Sequence, residues 1–198
     1  LVDSILKPEY FGCTDPLAIN FLSTAIYSDG FCEYSCIDID GNIYDTITIG
    51  DQIWMAENLR VTHYNNGDEI PTGFTDSEWS NLGETETDGL AVYNDDPSNV
   101  ETYGNLYNWY AVDDSRVVCP EGWHVPSDDD WMTLEMHLGL SYEDAHDTSW
   151  RGIDEGSKLA GNSDLWNAGS LEEDSEFGAS GFLALPGGKR HYDSGHYN

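Results

Sequence analysis

Basic residues are scarce in this chain: seven Lys and Arg stand against 38 Asp and Glu, leaving a formal charge of −31 over 198 residues. So anionic a surface repels phosphate backbones and anionic headgroups, which argues against nucleic acid and membrane surfaces as partners and makes cations the natural counterparts. The same acidity keeps a protein soluble in a salty medium, where screening shortens the repulsion between carboxylates. Long apolar runs are missing as well. No stretch approaches the roughly 18 apolar residues of a membrane span, so no membrane insertion is expected. Leu1-Val-Asp-Ser-Ile-Leu6 is too short and too acidic to be the core of a signal peptide. Any export signal is therefore expected to have been removed already. Asn-x-Ser/Thr is absent, so glycosylation gives no pointer to location.

Catalytic signatures are lacking too. The chain has no G-x-S-x-G elbow, phosphate loop, H-E-x-x-H or dinucleotide fingerprint. Cys119 and His124 stand five residues apart on a stretch interrupted by Pro120 and Gly122, which reads as a disulfide cysteine and a packed histidine. Carboxylates are too abundant for any pair to signal a glycosidase without geometry. No enzyme is expected.

What is present centres on residues 119–139. Ser127 is a good N-cap, Asp130 occupies the capping-box position, and Asp128 and Asp129 place negative charge at the positive end of a helix. Trp131, Leu134 and Leu138 form one apolar stripe, and Gly139 marks the stop. Upstream, Ile43, Ile47 and Ile49 alternate with Tyr44, Thr46 and Thr48, and Gly50-Asp51 is a two-residue turn into Gln52-Ile-Trp-Met-Ala56. This predicts a hairpin with Ile47 opposite Trp54 and Thr48 opposite Ile53, its core face carrying Ile47, Ile49 and Trp54. Asp38-x-Asp40-Gly-Asn42 has glycine fourth and Ile49 twelfth, so it reads as the turn feeding the hairpin and not as a calcium loop.

Elsewhere the chain is polar. Residues 61–102 are expected to be long loops that display Trp79 and Tyr93 or use them as pins to the core, with Trp166 a third candidate ligand-binding aromatic. A short helix is expected within Tyr103–Val112 and another over Ser141–His146, then loop over residues 152–181, and a strand and turn at Leu183-Ala-Leu-Pro-Gly-Gly.

Four cysteines, abundant Trp and Tyr and scarce Lys fit an oxidising, extracellular or cell-surface setting. Residues 10–36 form a separate acidic module, too short to bury enough apolar area alone. A Cys13–Cys32 bridge closing a loop of about 20 residues would stabilise it by on the order of 3 kcal/mol. Cys36 and Cys119 are left as a candidate second pair. Zinc is disfavoured, since Cys32 and Cys36 have no second close pair of ligands. Asp15, Asn20 and Asp29, gathered by the bridge, are the candidate calcium ligands, although Asp-Pro and Asp-Gly are equally ordinary turns. The Asp113-Asp114 turn is another place to look.

Several blocks together resemble one family. Cys119-Pro-Glu-Gly-Trp-His-Val-Pro-Ser-Asp128 is similar to the signature of the Fibrobacter succinogenes major paralogous domain. The blocks at 38–44, 49–59, 103–111, 156–159 with Trp166, and 181–188 resemble its further motifs in the same order. Residues 10–36 resemble a G-C-T-D-P-x-A-x-N…D-G-x-C-x-Y module of marine bacterial surface proteins. The resemblance implies an irregular, C-type-lectin-like α+β domain with short strands, one or two helices and long loops. It also implies a partner near the C-terminus for the cysteine of C-P-x-G-W, where this chain has none. The calcium-binding elements of calcium-dependent lectins are missing; Trp166-Asn167 lacks its Asp.

The expected organisation is an extended segment at 1–9, the disulfide-closed module at 10–36, and the family-like domain at 37–198. The resemblance implies a further closing strand beyond Gly188, whereas the sequence stops at Asn198. Either the chain continues, or a neighbouring subunit donates a strand, for which Leu1–Leu6 is the candidate; head-to-tail donation builds a filament. The expected function is a non-enzymatic structural or adhesive protein of a bacterial surface, self-associating as an oligomer or fibre, with carbohydrate binding as the alternative.

Overall fold

A computed structural model describes residues 11–16, 18–30, 32, 36–148 and 151–198. The extended segment at 1–9, with its candidate donor strand, and Tyr10 and Tyr34 of the module lie outside the described residues. The fold is α+β with short strands.

The chain begins with β1 (Phe11–Gly12), paired in parallel with β2 (Tyr27–Ser28). Cys13 is bonded to Cys32, with Cα atoms 4.8 Å apart. Phe11, Ile19, Phe21 and Ile26 stay exposed here, so this segment has little core of its own and leans on its covalent link. Next, β3 (Cys36–Ile37) pairs antiparallel with β4 (Ile43–Tyr44) around a turn closed by Asp38. That carboxylate is 6 % exposed yet well supplied: it accepts from the backbone N–H of Asn42, from Asn42 Nδ2 and from the Tyr44 hydroxyl. Burial of an acid is tolerated because all three donors converge on it. Asp40, beside it, accepts from Thr62 and His63. These partners make the stretch a turn.

The expected hairpin is present in the expected register. In it β5 (Thr46–Ile49) faces β6 (Gln52–Met55), with Ile47 opposite Trp54 and Thr48 opposite Ile53. Gly50 adopts φ +61°, and a Cβ there would meet His137 at 2.8 Å, so glycine is needed for both the turn and the close packing.

Residues 61–102 hold more structure than a loop reading allows. A ten-residue helix, α1 (Asp76–Thr85), starts from a capping box of Thr75 and Glu78 and buries Trp79 and Leu82. Beyond it come β7 (Leu90–Ala91), α2 (Val100–Tyr103), β8 (Leu106–Tyr107) paired with β7, and α3 (Trp109–Val112). The short helix expected within Tyr103–Val112 is α3, but Leu106, expected on its apolar face, lies in β8, beyond Gly104, which at φ +67° approaches the Leu59 carbonyl too closely for any side chain. The long helix expected after Ser127 is α4 (Asp128–His137), with the Ser127–Asp130 capping box in place. A short α5 (Tyr142–Ala145) follows its Ser141 cap. Within the stretch expected to be all loop lies α6 (Glu155–Leu159). Leu183 takes φ +62°, and Ala184 makes only an isolated bridge to Ala160, so the expected strand there is not formed.

The largest interior contacts tie these elements together. Ile49 and Trp54 of the hairpin pack on Leu134 of α4, flanked by Ile47, Trp131, Leu138 and Phe182. A second cluster joins Val61, Tyr64 and Ile70 to Leu90, Ala111, Val118 and Cys119. Residues 189–198 double back, with paired hydrogen bonds between Lys189 and Asn198, and are held on α1 by Arg190. The Arg190 guanidinium is 1 % exposed, donates to the carbonyls of Gly195 and Phe74, and lies over the rings of Trp79 and Tyr197. No helix among the described residues is long and apolar enough to cross a membrane.

Candidate functional site

The hairpin, α4 and residues 182–185 meet around a cleft of about 900 Å³. One wall is β6 and the residues that follow it to Arg60, another is residues 121–126 with the first turn of α4, and Glu101 and Thr102 stand at the rim. Aromatic rings make the floor. Trp54 and Trp131 lie 5.0 Å apart centre to centre, and Phe182 meets Trp54 edge-on at 5.6 Å and Trp131 at 6.0 Å. Trp123 adds a fourth ring. Trp54 comes from the inner face of the hairpin and Trp131 from the apolar stripe of α4, whereas Phe182 and Trp123 come from the connecting segments.

Polar groups at the floor are incompletely satisfied. Gln52 donates from Nε2 to the Asp130 carbonyl at 3.1 Å, tying hairpin to helix, but its Oε1 accepts from no described residue. Trp54 is 7 % exposed, and its indole N–H likewise has no partner among the described residues. Gln52 and Trp54 are two apart on one strand and therefore share a face. Both atoms are shielded from solvent behind the cleft surface, and each buried group left without a partner costs stability.

The charges divide into matched and unmatched. Arg60 is spoken for: it pairs with Glu57 at 3.4 Å, donates to the Ile43 carbonyl and lies over the Tyr44 ring. Asp130 is held down at about 2 by the Ser127 hydroxyl, then the Ser127 N–H, with His124 contributing. His124 itself contacts Asp130 at 3.1 Å. Glu101 and Glu121 have no hydrogen-bonding or ion-pair partner among the described residues. The wall between Asn58 and Val61 is fixed by Asn58 donating to the Tyr103 carbonyl and Asn105 donating to that of Arg60.

The residues singled out from sequence are dispersed. Asp15 lines the cleft, whereas Asn20 and Asp29 are exposed in the disulfide-closed segment. No cluster of three or more acidic, His or Cys side chains is placed to hold a metal among the described residues. At the Asp113-Asp114 turn, Asp114 is engaged by Arg116 at 2.7 Å. Of the two expectations for Trp79, the pin to the core is the one the structure shows: it is 5 % exposed, because α1 turns it into the core beneath Arg190. Tyr93 sits edge-on to Tyr197, and Trp166 donates to the Gly161 carbonyl. None of these three lines the cleft. The expected second bridge is also corrected: Cys36 and Cys119 are free and buried. Burial pushes the Cys36 thiol up to about 12, with Asp38 and Cys119 adding to it, and the Cys119 thiol up to about 11. His124 engages Asp130, not Cys119.

The family model described as the Fibrobacter succinogenes major domain matches residues 47–198, and the chain belongs to that family. No curated protein matches, and no solved structure matches.

Proposed function

We propose that this member of the Fibrobacter succinogenes major domain family is a non-enzymatic, extracellular adhesive domain whose cleft binds carbohydrate. The observation that carries the reading is the aromatic lining of the cleft, Trp54, Trp131 and Phe182 packed together with Trp123 beside them. Sugars offer apolar C–H faces that lie against rings, and hydroxyls that both donate and accept. A cleft of about 900 Å³ suits a short oligosaccharide. The C-type-lectin-like arrangement and the bacterial-surface location belong to the same proposal.

A glycan array followed by fluorescence titration tests it. Trp54, Trp123 and Trp131 line the cleft, so binding should change tryptophan emission. Silence across the array overturns the reading.

A self-associating structural subunit is the second reading, favoured by the exposed Ile19 and Ile26 of the disulfide-closed segment. Light scattering with and without residues 1–8 tests it; a monomer in both cases sinks self-assembly.

A further inference from the structure

Resting on the carbohydrate reading, we infer that the cleft is one end of a longer track, on which an extended glycan chain leaves the cleft over Trp123 and stacks its next units on Trp109. A second hollow, of about 580 Å³, adjoins the cleft. Trp123, His124 and Pro126 line both, so this segment is the wall the two share. Across the second hollow stand Trp109, Val117 and Val125, which are 67 %, 43 % and 42 % exposed. Large apolar side chains gathered in the open mark a contact surface.

Trp109 is held outward by the way its helix is anchored. Ala111, two residues on, is fully buried in the core cluster with Val61 and Tyr64. The Asn108 cap accepts from the N–H groups of Ala111 and Gly89 and donates to the Thr87 carbonyl, while the Tyr110 hydroxyl donates to the Gly83 carbonyl. With the rest of α3 tied down, the indole stands on a fixed backbone that has little freedom to lose when a ligand settles on it. Val117 is the second observation. It takes φ +60°, a conformation that β-branched residues adopt only under constraint. Its N–H donates to the Asp114 carbonyl at 2.9 Å and its carbonyl accepts from the Asn65 N–H at 3.1 Å. Burial does not account for the strain, since the side chain remains open to solvent beside Trp109; strained backbone of this kind gathers at binding sites.

Continuity with the cleft chooses the occupant. The second hollow repeats the make of the first, with rings and aliphatic groups for the C–H faces of sugars and the exposed Asp113 carboxylate as an acceptor for hydroxyls. A chain too long for the cleft meets this surface next.

The test is calorimetric titration of the purified chain with di-, tetra- and octasaccharides of β-linked glucose, xylose and N-acetylglucosamine. Within the series that binds, the octasaccharide should bind roughly tenfold more tightly than the disaccharide, the scale of one added stacking contact. Trp109→Ala should bring that ratio close to one at an unchanged melting temperature, and Trp109→Phe should restore part of it. Light scattering of the unliganded chain and of Trp109→Ala covers the other occupant, a second copy seated on the hollow. Affinity that does not grow with length, a length gain that survives Trp109→Ala, or an oligomer that this substitution dissolves overturns the inference but not the carbohydrate reading. Failure of every series at every length overturns that reading instead.

Discussion

Asp38 illustrates how a single buried charge is kept. Its carboxylate accepts from Asn42 twice and from Tyr44, whose oxygen in turn accepts from the Arg60 N–H, so the turn before the hairpin and the wall of the cleft share one network. Asp38→Ala should cost about 2 kcal/mol by stranding those donors, measured by urea denaturation. The free thiols give a second test at this scale. Cys36 and Cys119, raised to about 12 and about 11, stay protonated at neutral pH and should resist iodoacetamide until denaturant is added. In the unfolded chain the same thiols ionise near 9, so above that pH the unfolded state holds fewer protons and stability falls. A Cys36→Ser, Cys119→Ser variant should flatten that alkaline decline.

At the scale of elements, two ten-residue helices are each started by a capping box. Ser127→Ala and Thr75→Ala should each lower stability by about 1 kcal/mol. Asp130 sits at about 2 in the fold against 3.8 for an ordinary Asp, so its support is present above 3.8 and is lost as the pH drops towards 2. Ser127→Ala should therefore soften the acid limb of the stability profile as well as lower its plateau. The hairpin register and α4 are legible in sequence because Gly50-Asp51, the alternating isoleucines and Ser127-x-x-Asp130 are dense local signals. Helix α1 has the same kind of signal in Thr75-Asp-Ser-Glu78, but only Trp79 and Leu82 turn inward, and so short a stripe disappears among the polar residues around it. Nothing local announces that Gly104 cuts one helical pattern into α2, β8 and α3; the reason is the Leu59 carbonyl, 45 residues upstream.

Across the whole molecule, the cleft is the part sequence reading could not reach. Its floor and rim come from Gln52 and Trp54, Glu101, Glu121, Trp131 and Phe182, residues that only tertiary packing brings together, and the aromatics look like ordinary core in each local stretch. Trp79, an aromatic in polar surroundings, is pinned to the core by helix formation. The net charge of −31 predicts a global effect. Added sodium chloride should raise the melting temperature by screening carboxylate repulsion. We propose that calcium raises it further at matched ionic strength; equal midpoints in calcium and chelator would refute a bound ion.

The cleft floor is also the keystone of the fold. Gln52 bolts hairpin to α4, and Trp54 packs on Leu134, so substitutions there disturb the assembly of the fold. The rim at Glu101 and Glu121 carries no such duty. On the carbohydrate reading proposed above, copies of this domain would be free to diverge at the rim while their floors stay fixed, so that binding preference could change without having to solve folding again. Aligned copies should vary most at the rim and least at positions 52, 54 and 134.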